Sequence, residues 1–220
     1  MSGLDCAFGS GVLIAPNKVL TNYHVWNNFI KGRTDLRLGI EFEALAGENK
    51  SRFIRLSKDP VLVLPKMDAA VLTLEKASKR RPITPVERAA DGRAVVLIGY
   101  PVQPRSPITG VEKNTLESIY GQDLLWNIKR WSEGRIIRPK SGPSNNLFYP
   151  VPVHPDIHTG KIPALCHTAS SRDGNSGGAL IDKKTGEFLG LHFGGGYYEK
   201  QDINFSVPAR DLIRALKAVK

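Results

Sequence analysis

Cysteine is scarce in this chain: only Cys6 and Cys166 occur, and they lie far apart. A disulfide framework like those of small secreted domains is therefore not expected, and a reducing compartment is favoured. A single bridge between the two residues stays open. Neither cysteine belongs to a CxxC pair, so the sequence carries no cysteine-based zinc motif.

Long apolar runs are also missing. None approaches the roughly 20 residues that a membrane-spanning helix needs. Residues 1–8 lack the basic region and apolar core of a secretory signal. We therefore expect either a cytoplasmic protein or a domain excised from a longer precursor, without a membrane partner. The 21 glycines and 15 prolines imply many turns between short apolar segments, which favours strands over helices.

Acidic residues are outnumbered, because 31 Lys and Arg face 21 Asp and Glu, a net charge of +10. Such a charge suits nucleic acid, an anionic surface or acidic protein substrates. However, the sequence contains no basic helix with interleaved aromatics and no nucleic-acid module. The densest basic cluster is interpreted as a solvated linker, with nucleic-acid binding a minor alternative; it consists of Lys76, Lys79, Arg80 and Arg81.

Short apolar segments bounded by turn residues predict the order of the strands. The expected strands cover residues 8–15, 19–21, 69–74, 94–101, 134–137, 179–182, 188–193 and 204–207. A short helix is expected within residues 116–131, and the proline-rich residues 140–163 are expected to form a loop. After Pro208, apolar residues recur at helical spacing and predict a C-terminal amphipathic helix; they are Leu212, Ile213, Leu216 and Val219.

The densest chemical signal is the segment 173–178, in which Ser176 is surrounded by three glycines. Glycine permits positive φ and close approach to the main chain. Ser176 on such a turn would be exposed, with the N–H groups of Gly174 and Ser176 directed at one oxygen atom. This arrangement suits a nucleophile beside an oxyanion hole. A plain glycine-rich turn between strands is the alternative.

A base and an acid are available upstream. His24 follows a predicted hairpin, although a histidine there is often only structural. Asp68 directly precedes an apolar run typical of a buried strand, where an unpaired carboxylate is costly and a partner is expected. Asp59 and Asp91 are rival acids, but each stands in a turn-like context that predicts a capping role.

Taken together, these motifs resemble the chymotrypsin-like (trypsin-fold) serine peptidases, most closely bacterial members without disulfides. The order His24, Asp68, Ser176 is that of the family. The segments that carry the resemblance are 9–14, 21–25, 67–72, 98–101, 167–169, 174–178 and 190–194, which together span most of the chain.

The resemblance implies an all-β fold of two antiparallel β-barrels packed side by side, followed by the C-terminal helix. The implied organisation is an N-terminal half over 1–78, a linker over 79–92, a C-terminal half over 93–207 and the helix over 208–220. It also implies a serine endopeptidase that acts on protein or peptide substrates through an acyl-enzyme. No cofactor or metal is implied.

The resemblance also implies roles for individual residues. His24 is the expected general base, Asp68 its orienting acid and Ser176 the nucleophile, with Gly174 and Ser176 forming the oxyanion hole. The remaining expected substrate-binding residues lie at the pocket and along the adjoining strand; they are Ser170, Ser171, His192, Phe193, Gly194 and Gly195.

A histidine at position 192, combined with a hydroxyl residue in the pocket, resembles the pocket of the glutamyl endopeptidases, which cut after acidic residues. An acidic P1 residue is therefore expected slightly ahead of a small or apolar one, although Asp173 near the pocket mouth would repel it. A buried, hydrogen-bonded role for His192 is equally open. Asn175 stands where zymogen-activated relatives carry an aspartate, so activation by an ion pair with a freed N-terminus is not expected.

Other interpretations are weaker. Residues 174–178 also satisfy the GxSxG elbow of α/β-hydrolases, with Asp182 and His192 following, but residues 177–220 leave little room for that fold. His154, Asp156 and His158 alternate as metal ligands might, yet flanking prolines favour a loop.

A non-catalytic peptidase-like binding module is the main alternative in function. It would be expected to lack a triad residue, and none is lacking here. The abrupt start of the first hairpin suggests a regulatory partner or a further domain of a longer chain.

Overall fold

The computed structural model describes residues 9–32, 39–42, 52–57, 59–86, 89–101, 129–138, 148–152, 161–198 and 201–218. Strands dominate these residues. In the first half of the chain they are β1 (Val12–Ala15), β2 (Lys18–Thr21), β3 (Gly39–Phe42), β4 (Arg52–Arg55), β5 (Leu62–Leu64) and β6 (Ala69–Thr73). In the second half they are β7 (Ala94–Gly99), β8 (Arg130–Ile137), β9 (Phe148–Pro152), β10 (Lys161–His167), β11 (Ala179–Asp182), β12 (Phe188–Tyr198) and β13 (Gln201–Pro208).

The described helices are short, apart from the last one. Tyr23–Val25 forms a helical turn that continues as a π-helical turn over Trp26–Ile30, and Pro65–Met67 forms a 3₁₀ turn. The C-terminal helix covers Ala209–Ala218, as its apolar spacing predicts. No helix within the described ranges is long and apolar enough to cross a membrane.

The strands form three antiparallel sheets. One has the order β1-β2-β6-β5, a second has the order β13-β12-β11-β7-β8-β10-β9, and β3 pairs with β4 alone. In the large sheet β10 also pairs with β13, so the pairing returns to its first strand. The predicted all-β fold with a C-terminal helix is confirmed. The two side-by-side barrels and the four predicted segment boundaries stay predictions.

Central strands are built from the continuous apolar runs. β6 lies between β2 and β5, and Ala69 and Ala70 are completely buried. β11 lies between β12 and β7, where Leu180 is completely buried. A strand covered on both faces needs apolar residues at consecutive positions, so these runs do not alternate.

One expectation about local structure was wrong. The residues 140–163, expected as a loop, contain β9 and the start of β10. Pro150 and Pro152 are accommodated because β9 is the edge strand of its sheet, where a missing N–H need not break the ladder. The short helix expected within residues 116–131 stays a prediction, because residues 116–128 lie outside the described residues. Trp131, at the end of that range, belongs to β8.

One apolar cluster joins the two predicted halves and the C-terminal helix. Its buried members are Val12, Leu20, Ala69 and Val71 from the first half, Ala179, Phe188, Leu191 and Val207 from the second, and Ala209 and Leu212 from the helix. The predicted linker also bonds to both sides, because Ile83 N donates to Leu13 O and Phe188 N donates to Thr84 O. These contacts bring the His24 side of the chain against the Ser176 side.

Candidate active site

His24 and Asp68 meet because their strands are neighbours. β2 and β6 pair with Thr21 opposite Ala70, so the residue groups just beyond these strand ends lie side by side. Asp68 Oδ2 lies 2.8 Å from His24 Nδ1, and Asp68 Oδ1 accepts a 2.9 Å hydrogen bond from His24 N. The carboxylate is 1% exposed, whereas the imidazole is 18% exposed. The buried acid therefore contacts both the ring and the backbone of the histidine.

The backbone of Asp68 is itself held in place. The residue follows the Pro65–Met67 turn and has φ 45° and ψ 48°, the left-handed region that aspartate tolerates better than most residues. Its carbonyl oxygen accepts a 2.9 Å bond from Asn22 Nδ2. The rival acids Asp59 and Asp91 are exposed, and Asp91 accepts a bond from Gly92 N within its own turn.

Two tight turns follow one another in the segment 172–178, and the second contains Ser176. Asn175 N donates to Arg172 O with Gly174 at φ 88°, and Gly178 N donates to Asn175 O with Gly177 at φ 86°. A positive φ at the third position alone is the signature of a type II turn, which explains both glycines. Ser176 occupies the second position of the later turn and is half-buried.

The N–H groups of this loop fall into two sets. Those of Asn175, Gly177 and Gly178 donate to backbone carbonyls at 3.0, 2.8 and 2.8 Å. Those of Gly174 and Ser176 make no hydrogen bond with any described residue. Because no described protein group accepts these two N–H groups, they are available as donors to a ligand oxygen.

The serine loop packs directly against the histidine side of the molecule. A Cβ added to Gly9 would lie 2.9 Å from both γ-carbons of Val25, the neighbour of His24, and 3.1 Å from Ser176 O. A Cβ added to Gly177 would lie 2.6 Å from Thr21 Oγ1. The residues beside His24 and those beside Ser176 are thus in contact through glycines.

Ser10 is a buried residue for which the sequence offered no role beyond its place in the Gly-Ser-Gly motif. Its Oγ donates to Gly174 O (2.7 Å) and accepts from Tyr100 N (2.8 Å). Its N–H donates to Ser176 O (2.7 Å), and its carbonyl accepts from Thr21 Oγ1 (2.7 Å). The only sequence signal was a small polar residue between two glycines.

The expected substrate-binding residues occupy different environments. Ser170 is exposed, whereas Ser171 Oγ is bonded to Asn204 Oδ1. Phe193 stacks on Phe205, with ring centroids 6.2 Å apart. Gly194 faces open space, and a Cβ at Gly195 would lie 2.1 Å from Asn204 Oδ1.

His192 is 1% exposed and sits next to a second buried histidine, with ring centroids 5.7 Å apart. Burial lowers the pKa of His192 to about 3; a backbone hydrogen bond to Phe205 opposes this shift and the charge of His24 adds to it. The neighbour, His167, contacts Ser206 Oγ through Nε2 at 3.2 Å. Burial also lowers the pKa of His167, and His192 adds to that shift. Both rings are therefore neutral near pH 7.

His154, Asp156 and His158, the alternative metal site, lie outside the described residues, as does Cys6. Cys166 is buried in β10. Within the part of the chain that the structure describes, no three His, Cys, Asp or Glu side chains are grouped closely enough to hold a metal ion.

The comparison that decides the family covers most of the chain. The trypsin-like peptidase domain family matches residues 9–191. The chain belongs to the trypsin-like peptidases. The sequence-based resemblance is thereby confirmed at the level of family and fold. None of the curated proteins matches this trypsin-like domain.

Solved structures share the fold at low sequence identity. The active form of the Rv3671c protease from M. tuberculosis is 22% identical, with a TM-score of 0.61 over 95% of this chain and 72% of its own. The MamO protease domain from Magnetospirillum magneticum is 15% identical, with a TM-score of 0.64 over 97% and 91%. The serine endoprotease from Yersinia pestis is 21% identical, with a TM-score of 0.58 over 99% and 59%. These likenesses establish the trypsin-like architecture.

Proposed function

We propose that this trypsin-like domain is a serine endopeptidase in which Ser176, His24 and Asp68 form the catalytic triad. The observation that carries the proposal is the contact of the buried Asp68 carboxylate with both Nδ1 and the backbone N–H of His24. This contact fixes the ring orientation and leaves Nε2 as the proton acceptor. A surface histidine without a catalytic role has no need of a fully buried carboxylate partner.

The proposed reaction gives each of these residues a role. His24 Nε2 removes the proton of Ser176 Oγ as that oxygen attacks the substrate carbonyl, and Asp68 stabilises the imidazolium that forms. The N–H groups of Gly174 and Ser176, which have no partner among the described residues, receive the negative oxygen. His24 then protonates the departing amine, which leaves an acyl group on Ser176. Water then attacks the ester: His24 takes a proton from the water and afterwards returns it to Ser176 Oγ, which releases the acid product.

Substrate binding is proposed along β12. An extended peptide would pair with the backbone near Phe193, Gly194 and Gly195, where Gly194 faces open space. The substrates are therefore unfolded or loop segments of proteins, which can adopt an extended conformation.

We propose that a positive charge on His192 does not determine which residue is preferred at P1. Since burial holds the pKa of His192 at about 3, the ring is neutral from about pH 6 to about pH 8. We expect the ratio of the cleavage rates of peptides with Glu and with Gln at P1 to stay constant over this range. A Glu preference that increases as the pH falls would restore the acidic-pocket hypothesis.

Covalent labelling tests the proposed function. The purified protein is treated with a fluorophosphonate and weighed intact, beside Ser176→Ala, His24→Ala and Ser57→Ala. Ser57 is a matched control because its hydroxyl lies outside the serine loop and, among the described residues, bonds only to the carbonyl of Asp59. One adduct in the wild type and in Ser57→Ala, absent from the other two variants, is the expected result. No adduct in the wild type would favour the alternative of a non-catalytic binding module or of a latent form that needs a partner.

A further inference from the structure

The peptide group between Gly174 and Asn175 is held at both ends. Its carbonyl accepts the hydroxyl of Ser10, and its N–H donates to Arg172 O. It lies between the two N–H groups proposed for the oxyanion hole, those of Gly174 and Ser176. The two donors belong to the peptide groups on either side of it, so fixing this group in place restricts the positions of both.

A second peptide group of the loop, between Ser176 and Gly177, is also held at both ends. Its carbonyl accepts Ser10 N, and its N–H donates to His192 O. Ser10 thus bonds to peptide groups on each side of the Asn175–Ser176 group, whose N–H is one of the two proposed donors. Arg172 and His192 hold the other ends from within the C-terminal half of the chain.

The Ser10 segment and the serine loop approach each other closely at positions occupied by glycine. A Cβ at Gly99 would lie 3.1 Å from Ser10 Oγ and 2.5 Å from Asn175 Oδ1. A Cβ at Gly177 would lie 2.1 Å from Ser10 O. Three glycines, the third being Gly9, therefore allow the loop and the Ser10 segment to approach at hydrogen-bonding distance.

The loop is not held through a charge on the residue before Ser176. Asn175 is 5% exposed and uncharged, and its Oδ1 accepts no hydrogen bond from any described residue. The neutral hydroxyl and N–H of Ser10 are the polar groups from the N-terminal half that bond to the loop in the described structure.

We propose that Ser10 is a positioning residue that holds the two oxyanion donors in their catalytic directions and couples the serine loop to the histidine side of the molecule. The coupling runs through its carbonyl, which accepts the hydroxyl of Thr21, three residues before His24. This inference rests on the proposed function, since only an acyl-transfer reaction uses those donors. Ser10 itself does not contact the reacting atoms; it acts through Gly174 and Ser176.

The kinetic test compares Ser10→Ala with Ser78→Ala. Ser78 is a matched control because it is 8% exposed, close to the 7% of Ser10, and its hydroxyl accepts one bond from Arg80 N in the predicted linker. We expect Ser10→Ala to lower kcat roughly 10- to 100-fold with little change in KM, because the loss falls on transition-state stabilisation. Ser78→Ala should keep the wild-type kcat.

Hydrogen exchange of single amides provides a readout that does not require activity. Ser10→Ala should speed exchange at Asn175, Gly177 and Gly178 while leaving the amides of β6 and β11 unchanged. Unchanged kcat and unchanged loop exchange would overturn the proposal. A loss of kcat that Ser78→Ala shares, or faster exchange throughout both sheets, would indicate general destabilisation and overturn it as well.

A measurement on the wild-type protein tests the proposal without any substitution. If Ser10→Ala does not fold, slow exchange of the Ser10 and Tyr100 amides in the wild type supports the two bonds on which the proposal depends, and rapid exchange overturns it. A wild type that takes no fluorophosphonate and cleaves no peptide refutes the proposed function. The exchange measurement would then still decide whether Ser10 holds the loop.

Discussion

Asp68 combines a buried charge with an uncommon backbone conformation, and both features serve the contact with His24. It is the only non-glycine residue with positive φ among the described residues. Asparagine tolerates this conformation about as well as aspartate, whereas alanine does not. Asp68→Asn therefore removes the charge without straining the turn, so its effect on activity can be measured separately from an effect on folding.

We expect Asp68→Asn to lower kcat by roughly 10³- to 10⁴-fold, because an amide does not stabilise the imidazolium and favours the wrong tautomer. The fold should survive, since the side chain keeps its shape and Oδ1 can still accept from His24 N. Peptide hydrolysis and a urea unfolding curve measure the two effects. Asp59→Asn, at an exposed aspartate, is the control, and a comparable loss of kcat there would contradict the role given to Asp68.

At the scale of single residues, sequence reasoning singled out the residues of the proposed triad but not Ser10, the residue proposed to position the oxyanion donors. His24, Asp68 and Ser176 stand in short motifs, in the order on which the family resemblance rests. Ser10 gains its role from partners 164 and 90 positions away, Gly174 and Tyr100. Such a role depends on tertiary packing, which a local pattern does not encode.

Among the elements, the serine loop depends on glycine for two separate reasons, conformation and space. Gly177 and Gly186 have similar φ values of 86° and 73°. A Cβ at Gly177 would lie 2.1 Å from Ser10 O, whereas one at Gly186 would meet nothing within 4 Å. The pair therefore separates backbone strain from steric collision.

Gly186→Ala should cost about 1–2 kcal/mol of unfolding free energy, the strain of a left-handed alanine, and should leave kcat unchanged. Gly177→Ala adds a collision with main-chain atoms, so we expect a larger loss of stability and at least a 10-fold loss of kcat, roughly the cost of misplacing a catalytic group. Urea unfolding and peptide hydrolysis measure both variants. Equal losses of stability and of kcat in the two variants would show that the close contact at Gly177 has no effect of its own.

The hairpin between β11 and β12 depends on a buried carboxylate. Asp182 Oδ1 accepts from Lys184 N at 2.8 Å and from Thr185 N at 2.6 Å, and Oδ2 pairs with Arg93 Nε. Burial alone would raise the pKa of Asp182, but the Thr185 backbone bond and the Arg93 guanidinium outweigh it and lower that pKa. The hairpin turn is thus stabilised by the charged form.

A lowered pKa means that this stabilisation is complete above the unfolded value of about 3.9 and is lost as the pH falls through the folded value below it. We expect Asp182→Asn to lower the unfolding free energy by about 1–3 kcal/mol at neutral pH. The difference from the wild type should shrink as the pH drops below about 4. Urea unfolding at several pH values measures it, with the exposed Asp202→Asn as the control; a gap that persists in acid would exclude the carboxylate as its cause.

Elements were predictable where one physical signal dominated. The apolar runs of β6, β7 and β11 and the helical spacing after Pro208 are strong signals, and all four elements are present. β9 was missed because Pro150 and Pro152 argue against a strand, and only its edge position, a property of the assembled sheet, makes them acceptable. β3 and β4 are short strands in polar sequence, where the alternation signal is weak.

For the whole molecule, the main feature is an apolar cluster shared by both predicted halves and the C-terminal helix. Leu212, in that helix, is 1% exposed and packs in the cluster with Leu20 and Val71 of the first half and Leu191 of the second. A site assembled from both halves requires that they do not separate. The shared cluster meets this requirement, because it holds residues of both halves together. We therefore expect the two halves to unfold together.

Leu212→Ala should therefore destabilise both halves equally, by about 2–5 kcal/mol, the usual cost of a cavity at a buried leucine. Pulsed hydrogen exchange along a urea series, read by peptide mass spectrometry, reports β2 and β6 separately from β11 and β12. The control is Arg214→Ala, on the exposed face of the same helix. We expect one midpoint for all four strands, lowered only in Leu212→Ala. Separate midpoints, with only the second half shifted, would mean that each half has its own core and that the helix stabilises its neighbour alone.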